Sequence, residues 1–523
     1  MEIMREMDAM DQKRPGTLGE LVASGWRSRT VKHELRDNLR RKLRAGERWL
    51  NGVIGYDETV LPQIENAILS QHDFILLGLR GQAKTRIVRL LTSLLDPEIP
   101  YVEGCTIHDD PLQPTCAGCR ARARELGERL PVAWLPREER YHEKLATPDV
   151  TIADLIGDLD PIKAAREKLD FSNEEVIHYG IIPRTNRGIF ALNELPDLQP
   201  RIQVGLLNIM EEKDIQIRGF PVRIPLDILL TFTANPEDYT NRGNIITPLK
   251  DRIDSQILTH YPRTIEDGIR ITRQEAWIAR DEEVLVPRFL EEILEEIAFI
   301  ARGSEHVDQS SGVSQRLPIR ARELLASAVE RRCLRRKGEP LVPRMCDLAA
   351  ILPAVTGRIE LVYEGEQEGP VIVANRLIGR AILKVFSRSF PPVYTPRSGR
   401  AARRRAREEG ETEGTPQRRP DAESERVTPP AYREILEYFS GGGTVDLADD
   451  MPADEFQKAL EKVPGLAPLV GRTLGNLSAP ERALGMEWVL ESLHQASLIA
   501  RQSLDGGMRF SDMLANMLNE GGR

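Results

Sequence analysis

Residues 74–85 read Phe74-Ile75-Leu76-Leu77-Gly78-Leu79-Arg80-Gly81-Gln82-Ala83-Lys84-Thr85, an apolar run that stops at a glycine and gives way to a loop ending in Lys-Thr. Four continuous apolar residues are what a strand buried on both faces of a parallel sheet requires. Residues 85–95 then read as a helix, with Ile87, Val88, Leu90, Leu91, Leu94 and Leu95 giving one apolar side. Between strand and helix, Gly78 and Gly81 permit backbone angles that bring N–H groups close to a phosphate. Lys84 is placed to reach β and γ phosphates, and the Thr85 hydroxyl to bind Mg²⁺. The spacing is that of a Walker A loop except at Ala83, where the second glycine belongs. A right-handed backbone there tolerates the extra methyl group, and that geometry is the expectation; a positive φ would not tolerate it. The bland alternative is a strand-turn-helix with a fortuitous Lys-Thr.

Composition sets outer bounds. A chain of 523 residues has room for about three domains. With 41% hydrophobic and 29% charged residues it reads as an ordinary globular protein, and a net charge of -9 speaks against general nucleic-acid affinity. No apolar run approaches the roughly 18 residues of a membrane span. The N-terminus lacks the apolar core of a signal peptide, which points to the cytoplasm. Five cysteines in that compartment are expected to be reduced, so clustering among them suggests metal before disulfide.

Residues 1–45 are polar and rich in Arg and Lys, and read as a solvated leader with helical spacing only from Val31 onward. Around Ile54 and Gly55 an apolar pair meets a glycine turn before an amphipathic helix, a segment placed to close over an adenine ring. Cys105, His108, Cys116 and Cys119 then bring four soft ligands within fifteen residues, a set able to close a tetrahedral zinc site. A second buried strand, 188–192, ends in Asn193-Glu194, and ligands of parallel sheets sit at that end. A hairpin is expected around Gly219, and a third buried strand, 228–234, ends in Asn235-Pro236. Leu249-Lys250-Asp251-Arg252 follows after a helical turn.

Taken in order, Gly78-x5-Lys84-Thr85, Leu192-Asn193-Glu194, Thr233-Ala234-Asn235-Pro236 and Leu249-Lys250-Asp251-Arg252 resemble the AAA+ ATPases. More narrowly, Asn186-Arg187-Gly188-Ile189-Phe190, the hairpin and the Asn235-Pro236 step resemble the I subunit of magnesium chelatase and the MoxR-type ATPases, over residues 50–385. The resemblance implies ATP and Mg²⁺ as ligands. It makes Asn193 and Glu194 the Walker B pair, with Asn193 holding the metal's water shell and Glu194 polarising the attacking water. Asn235 becomes sensor 1, Arg252 an arginine finger reaching a neighbour's ATP, and Arg316 the sensor 2 residue, with Arg320 as its alternative. Asn193 departs from the family's aspartate: it keeps an oxygen donor and loses the charge.

The expected architecture is therefore a P-loop parallel sheet flanked by helices over 46–262, with a Cys-rich insertion at about 101–122. An all-α lid over 263–390 follows, with Cys333 and Cys346 as core residues, then a disordered linker over 391–430 and a small helical interaction module over 431–523. The resemblance implies an ATP-hydrolysing motor in a homo-oligomeric, hexameric ring, acting on a partner protein with a von Willebrand-type domain, with remodelling or metal insertion as output. Two rivals remain: a nucleotide-gated scaffold with little hydrolysis, which Asn193 favours, and a DNA-acting or transcription-regulating ATPase. The acidity and the absence of a Gly-Ala-Phe-Thr-Gly-Ala loop disfavour the latter.

Overall fold

The computed structural model describes residues 14–167, 174–217, 223–236, 244–280, 283–335, 339–393, 395–396, 426–427, 429–504 and 506–513. The chain divides between Tyr261 and Pro262 into two compact units. The first is built on five parallel strands: β1 (Phe74–Leu77), β2 (Tyr141–Leu145), β3 (Gly188–Asn193), β4 (Ile228–Ala234) and β5 (Ser255–Leu258), in spatial order β5-β1-β4-β3-β2. Every residue of β1, β3 and β4 is buried. Their side chains alternate between two cores, as a period of two dictates. Ile75, Leu77, Phe190, Leu192, Leu230 and Phe232 face one core, packed with Ile202, Leu206 and Ile209 of the helix Pro200–Glu211. Phe74, Leu76, Ile189, Ala191 and Leu229 face the other, with Val60 and Ile64 of Val60–Leu69 and Ile87 and Val88 of Lys84–Leu90. Coverage of both faces is why these strands read as unbroken apolar runs.

The solvated-leader expectation is corrected over its second half. Val31–Ala45 is a helix whose Val31, Leu35 and Leu39 are buried in the second core. The stripe is one residue wide, recurring every fourth position, and the positions beside it carry charges that are themselves buried. Glu34 accepts a bidentate pair of hydrogen bonds from Arg140 at 2.8 and 2.6 Å, and Lys32 pairs with Asp73 at 2.8 Å. Buried charge is tolerated when it is paired and hydrogen-bonded. Composition reported the charges and hid the pairing.

The hairpin pairs Asp214–Gln216 with Arg223–Pro225, antiparallel; its turn around Gly219 lies outside the described residues. The insertion after β1 is a second antiparallel pair, Glu98–Val102 with Val132–Pro136, carrying the helix Ala117–Leu126 between them. Most of the expected linker, including its arginine run, also lies outside the described residues.

In the second unit, Ile265–Glu275, Arg288–Ala301, Arg316–Leu334 and the twenty-residue Pro370–Ser389 are the main lid helices. Cys333 is half-buried and departs from the core expectation, whereas burial pushes the Cys346 thiol well up. The C-terminal part departs from the helical expectation: Val445–Ala448, Gly507–Ser511 and Ala500–Leu504 form a three-stranded antiparallel sheet. Those strands are short and carry Arg, Gln and Ser, leaving no apolar run to read. Nor does this part own a separate core. Ala479–Gln495 is buried nearly all round, and Trp488 stacks on Phe289 at 4.1 Å and meets Phe386 and Phe390 edge-on at 5.5 Å. Buried Glu487, pushed up to about 8 by desolvation, accepts from the Met345 and Cys346 N–H groups at 2.6 and 3.2 Å.

Candidate nucleotide site

Register brings the motifs together. Leu77 of β1 lies opposite Ala234 of β4, and Phe232 of β4 opposite Leu192 of β3. The loop that begins at Gly78, the Asn235 step and the Asn193-Glu194 pair therefore leave the same edge of three adjacent strands. The loop and the acidic pair stand two strands apart, about 10 Å.

Within the loop, Lys84 is the first residue of its helix and is buried; its ammonium donates to the Gly78 carbonyl and, at 3.1 Å, to that of Leu79. A Cβ at Gly78 would stand 1.9 Å from Thr259 Oγ1 and 2.1 Å from Gln82 Oε1, so both side chains would have to give up their present contact to admit one. Gly81 has a φ of 74°, as expected of a glycine turn. The expectation at Ala83 is overturned. Its φ is 58° and ψ 16°, left-handed, so alanine occupies the very backbone region that disfavours a Cβ.

Three residues that motif spacing did not nominate hold the loop. The Tyr56 hydroxyl donates to the carbonyls of Gln82 (2.9 Å) and His260 (2.7 Å), and burial pushes its phenol up so that it stays a donor. Thr259 Oγ1 donates to Gln82 Oε1 at 2.6 Å. Tyr261 donates to the Arg80 carbonyl at 2.9 Å. Thr259 and Tyr261 follow the end of β5, so the last turn of the first unit grips the loop. Tyr56 adjoins Ile54 and Gly55, the segment expected at the adenine, where Gly55 takes a φ of 82°.

At the acidic edge, Thr233 Oγ1 donates to Asn193 Oδ1 at 3.1 Å and accepts from the Glu194 N–H at 3.2 Å. Asn193 is buried with its oxygen already in an acceptor's role, the one an aspartate would fill. Glu194 takes a left-handed φ of 55°, which turns the chain sharply off the strand. Asn235 is buried at the end of β4. Thr85, half-buried beside Lys84, supplies a hydroxyl at the helix start. An oxygen donor set of hydroxyl, amide and carboxylate with a lysine beside it suits Mg²⁺ and a polyphosphate. The sheet that carries these groups is a five-stranded parallel sheet with a core on each face.

Two expected residues of the AAA+ reading lie apart from this edge or in the other unit. Arg252 ends the helix Thr247–Arg252 and pairs with Glu211 at 2.5 Å. Arg316 opens the helix Arg316–Leu334 with an exposed side chain, whereas Arg320 is engaged by Glu323 at 2.7 Å.

The cysteine loop differs from expectation in one ligand. Cys105, Cys116, Cys119 and Asp109 place one donor atom each within 4.8 Å of one another, and His108 is not among them. His108 has a φ of 52°; its ring lies edge-on to Tyr101 at 5.3 Å, with Nδ1 3.1 Å from the Arg184 carbonyl. Hydrogen bonds from Cys116 and Cys119 push the Cys105 thiol down. Three thiols and a carboxylate fit zinc. The loop is strapped to the foot of β3: Asn186 donates to the Ile107 carbonyl at 3.0 Å and Arg187 to that of Pro100 at 2.6 Å.

No family model matches the sequence. Among solved structures, the chain is similar to a model of the complex between subunits BchI and BchD of magnesium chelatase, at 20% identity over 61% of this chain and 98% of that one, TM-score 0.32. It is also similar to NtrX from Brucella abortus in complex with ADP, at 15% identity over 68% of this chain and 66% of that one, TM-score 0.34. Among the described residues, no helix is long and apolar enough to cross a membrane.

Proposed function

We propose that this chain is an ATP-hydrolysing AAA+ motor of the magnesium chelatase I-subunit or MoxR-like type. What supports it above all is the shared edge of β1, β4 and β3, where the Lys84 loop, Asn235 and Asn193-Glu194 converge. Loop N–H groups and Lys84 bind the phosphates of ATP, while Ile54 and Gly55 border the base. Thr85 and Asn193 would hold Mg²⁺, which would supply positive charge to the phosphates. Glu194 would accept a proton from the attacking water as the water oxygen bonds to the γ phosphorus and the bond from that phosphorus to the β–γ bridging oxygen breaks to release ADP. Asn235 would position that water. Arg252, released from Glu211, reaches the ATP of the next subunit in a hexameric ring, and Arg316 fills the sensor 2 role. The client is a partner protein with a von Willebrand-type domain, in the cytoplasm. Zinc sits in the cysteine loop, away from the nucleotide and with no part in hydrolysis.

A second reading, a nucleotide-gated scaffold, is favoured by the uncharged Asn193. Steady-state turnover separates the two.

The ring is tested through Arg252. A finger supplied across an interface contributes on the order of 10³ to 10⁵ in rate, and an ordinary surface arginine contributes nothing to chemistry. Arg252→Ala is expected to bind ATP as the parent does and hydrolyse it far more slowly. Mixing Arg252→Ala with Lys84→Ala chains is expected to restore part of the activity, since each lends what the other lacks. Co-assembled mixtures that stay inactive would remove the finger assignment.

A further inference from the structure

We propose that the zinc ligands are Cys105, Asp109, Cys116 and Cys119, and that the metal is the staple that holds the 98–136 insertion together. This rests on the zinc reading above and replaces one of its expected ligands. Sulfur atoms bound at about 2.3 Å in a tetrahedron stand about 3.7 Å apart. The observed donors, all within 4.8 Å of one another, need to contract by about 1 Å at most.

The surroundings are already those of ligands. The Asp109 N–H donates to Cys105 Sγ at 3.5 Å and the Cys119 N–H to Cys116 Sγ at 3.3 Å, so two sulfurs carry backbone donors that favour thiolate. Cys116 caps the helix Ala117–Leu126, and Cys119 lies in its first turn and is 3% exposed. Asp109 is fully buried. Among the described residues, its Oδ2 accepts from the Thr115 and Cys116 N–H groups at 3.0 and 2.8 Å, and its Oδ1 accepts from the Thr115 hydroxyl at 2.5 Å. A carboxylate oxygen offers two lone pairs, so Oδ1 keeps one for the metal while the other bonds fix its orientation.

The insertion has need of a staple. Its own core is Val102, Cys119 and Leu130, with Leu18, Cys105, Cys116, Ala123 and Leu126 packed against it, and only Ile107, Cys105 and Cys116 among residues 105–119 reach the larger core of the sheet. A cluster of that size supplies little burial, and small loop-rich units are held by metal or disulfides where the core is too small. Zinc binding displaces the thiol protons to solvent and closes residues 105–119 into a loop pinned at both ends.

Full-length protein purified without chelator is expected to carry about one zinc per chain. Zinc-edge X-ray absorption is expected to show three sulfurs and one oxygen with no imidazole outer-shell scattering, and His108→Ala to keep its zinc. Imidazole scattering, with zinc lost in His108→Ala, would overturn the ligand set and leave the zinc reading standing. Protein without zinc, or with a Cys105–Cys116 disulfide instead, would overturn both. Cysteine variants risk misfolding, so the staple is tested on the parent. After chelation, trypsin is expected to cut first at Arg120, Arg122 and Arg124, with ATP affinity unchanged and protection restored by added zinc. Cleavage unaltered by chelation would overturn the staple.

Discussion

The phosphate loop and the cysteine loop are both short excursions that end at a helix N-terminus, yet they depend on their sequences in different ways. In the first, the proposed ligand would be met mainly by backbone, so what matters is where the chain can turn; Gly78, where a Cβ would crowd Thr259 and Gln82, and Lys84, six residues on, carry that information in their spacing. In the second, side chains from two segments must converge. Whether residue 108 or 109 turns inward depends on one backbone torsion, the φ of 52° at His108. A site made of backbone is legible from spacing, and a site made of converging side chains is legible only to within a residue.

The largest expected effect breaks the comparison at its strongest point. Lys84→Ala removes two charge-assisted phosphate contacts, each about 1.5–3 kcal/mol, so ATP affinity is expected to fall roughly 10²- to 10⁴-fold by calorimetry. Its zinc content is expected to stay that of the parent. Unchanged affinity would mean that the loop does not bind phosphate, and lost zinc would mean that the two loops are not independent.

Tyr56→Phe comes next. It leaves the Gln82 and His260 carbonyls without the shared donor that ties loop to sheet edge. A cost of about 1–3 kcal/mol is expected, read as weaker ATP binding and faster amide exchange in 78–84. Parental exchange would make the tyrosine a bystander.

What could be read beforehand follows the same division. The strands Phe74–Leu77, Gly188–Asn193 and Ile228–Ala234 were legible because burial on both faces leaves an unbroken apolar signature. The helix Val31–Ala45 was legible in its spacing and hidden in its burial, because Glu34 and Lys32 are buried through partners more than forty residues away in sequence, Arg140 and Asp73. The strands Ala500–Leu504 and Gly507–Ser511 were hidden by polar sequences. Tyr56, Thr259 and Tyr261 act on the phosphate loop through long-range contacts that no local pattern announces. Asn193 ends β3, and its side-chain oxygen accepts from Thr233, a contact that spacing did not announce.

Asn193→Asp sharpens that last point. The acceptor is preserved and a formal charge is added near the metal, worth about 1–2 kcal/mol through a water shell. ATPase rate at saturating Mg²⁺ is expected to hold or rise, with the Mg²⁺ requirement shifted several-fold lower. Collapse of the rate would show that the neutral amide does something a carboxylate cannot.

The smallest effect tests the backbone reading itself, at Ala83. A left-handed alanine costs about 1–2 kcal/mol relative to glycine in the same geometry. Glycine also makes the better helix cap, and Ala83 makes no side-chain cap. Against this, glycine adds about 0.4–1 kcal/mol of unfolded-chain entropy. The difference favours Ala83→Gly by about 1 kcal/mol, which exchange of the amides in Lys84–Leu90 reads as roughly fivefold greater protection. A two-unit chain gives no clean global midpoint, so the local measurement is the right one. Ala83→Val is the converse, since a β-branched residue at positive φ is a true outlier, and it is expected to lower protection and ATP affinity together. If glycine leaves protection unchanged and valine is tolerated, residue 83 is right-handed in solution. The phosphate loop would then have been wholly legible from its spacing, with no strained residue in it.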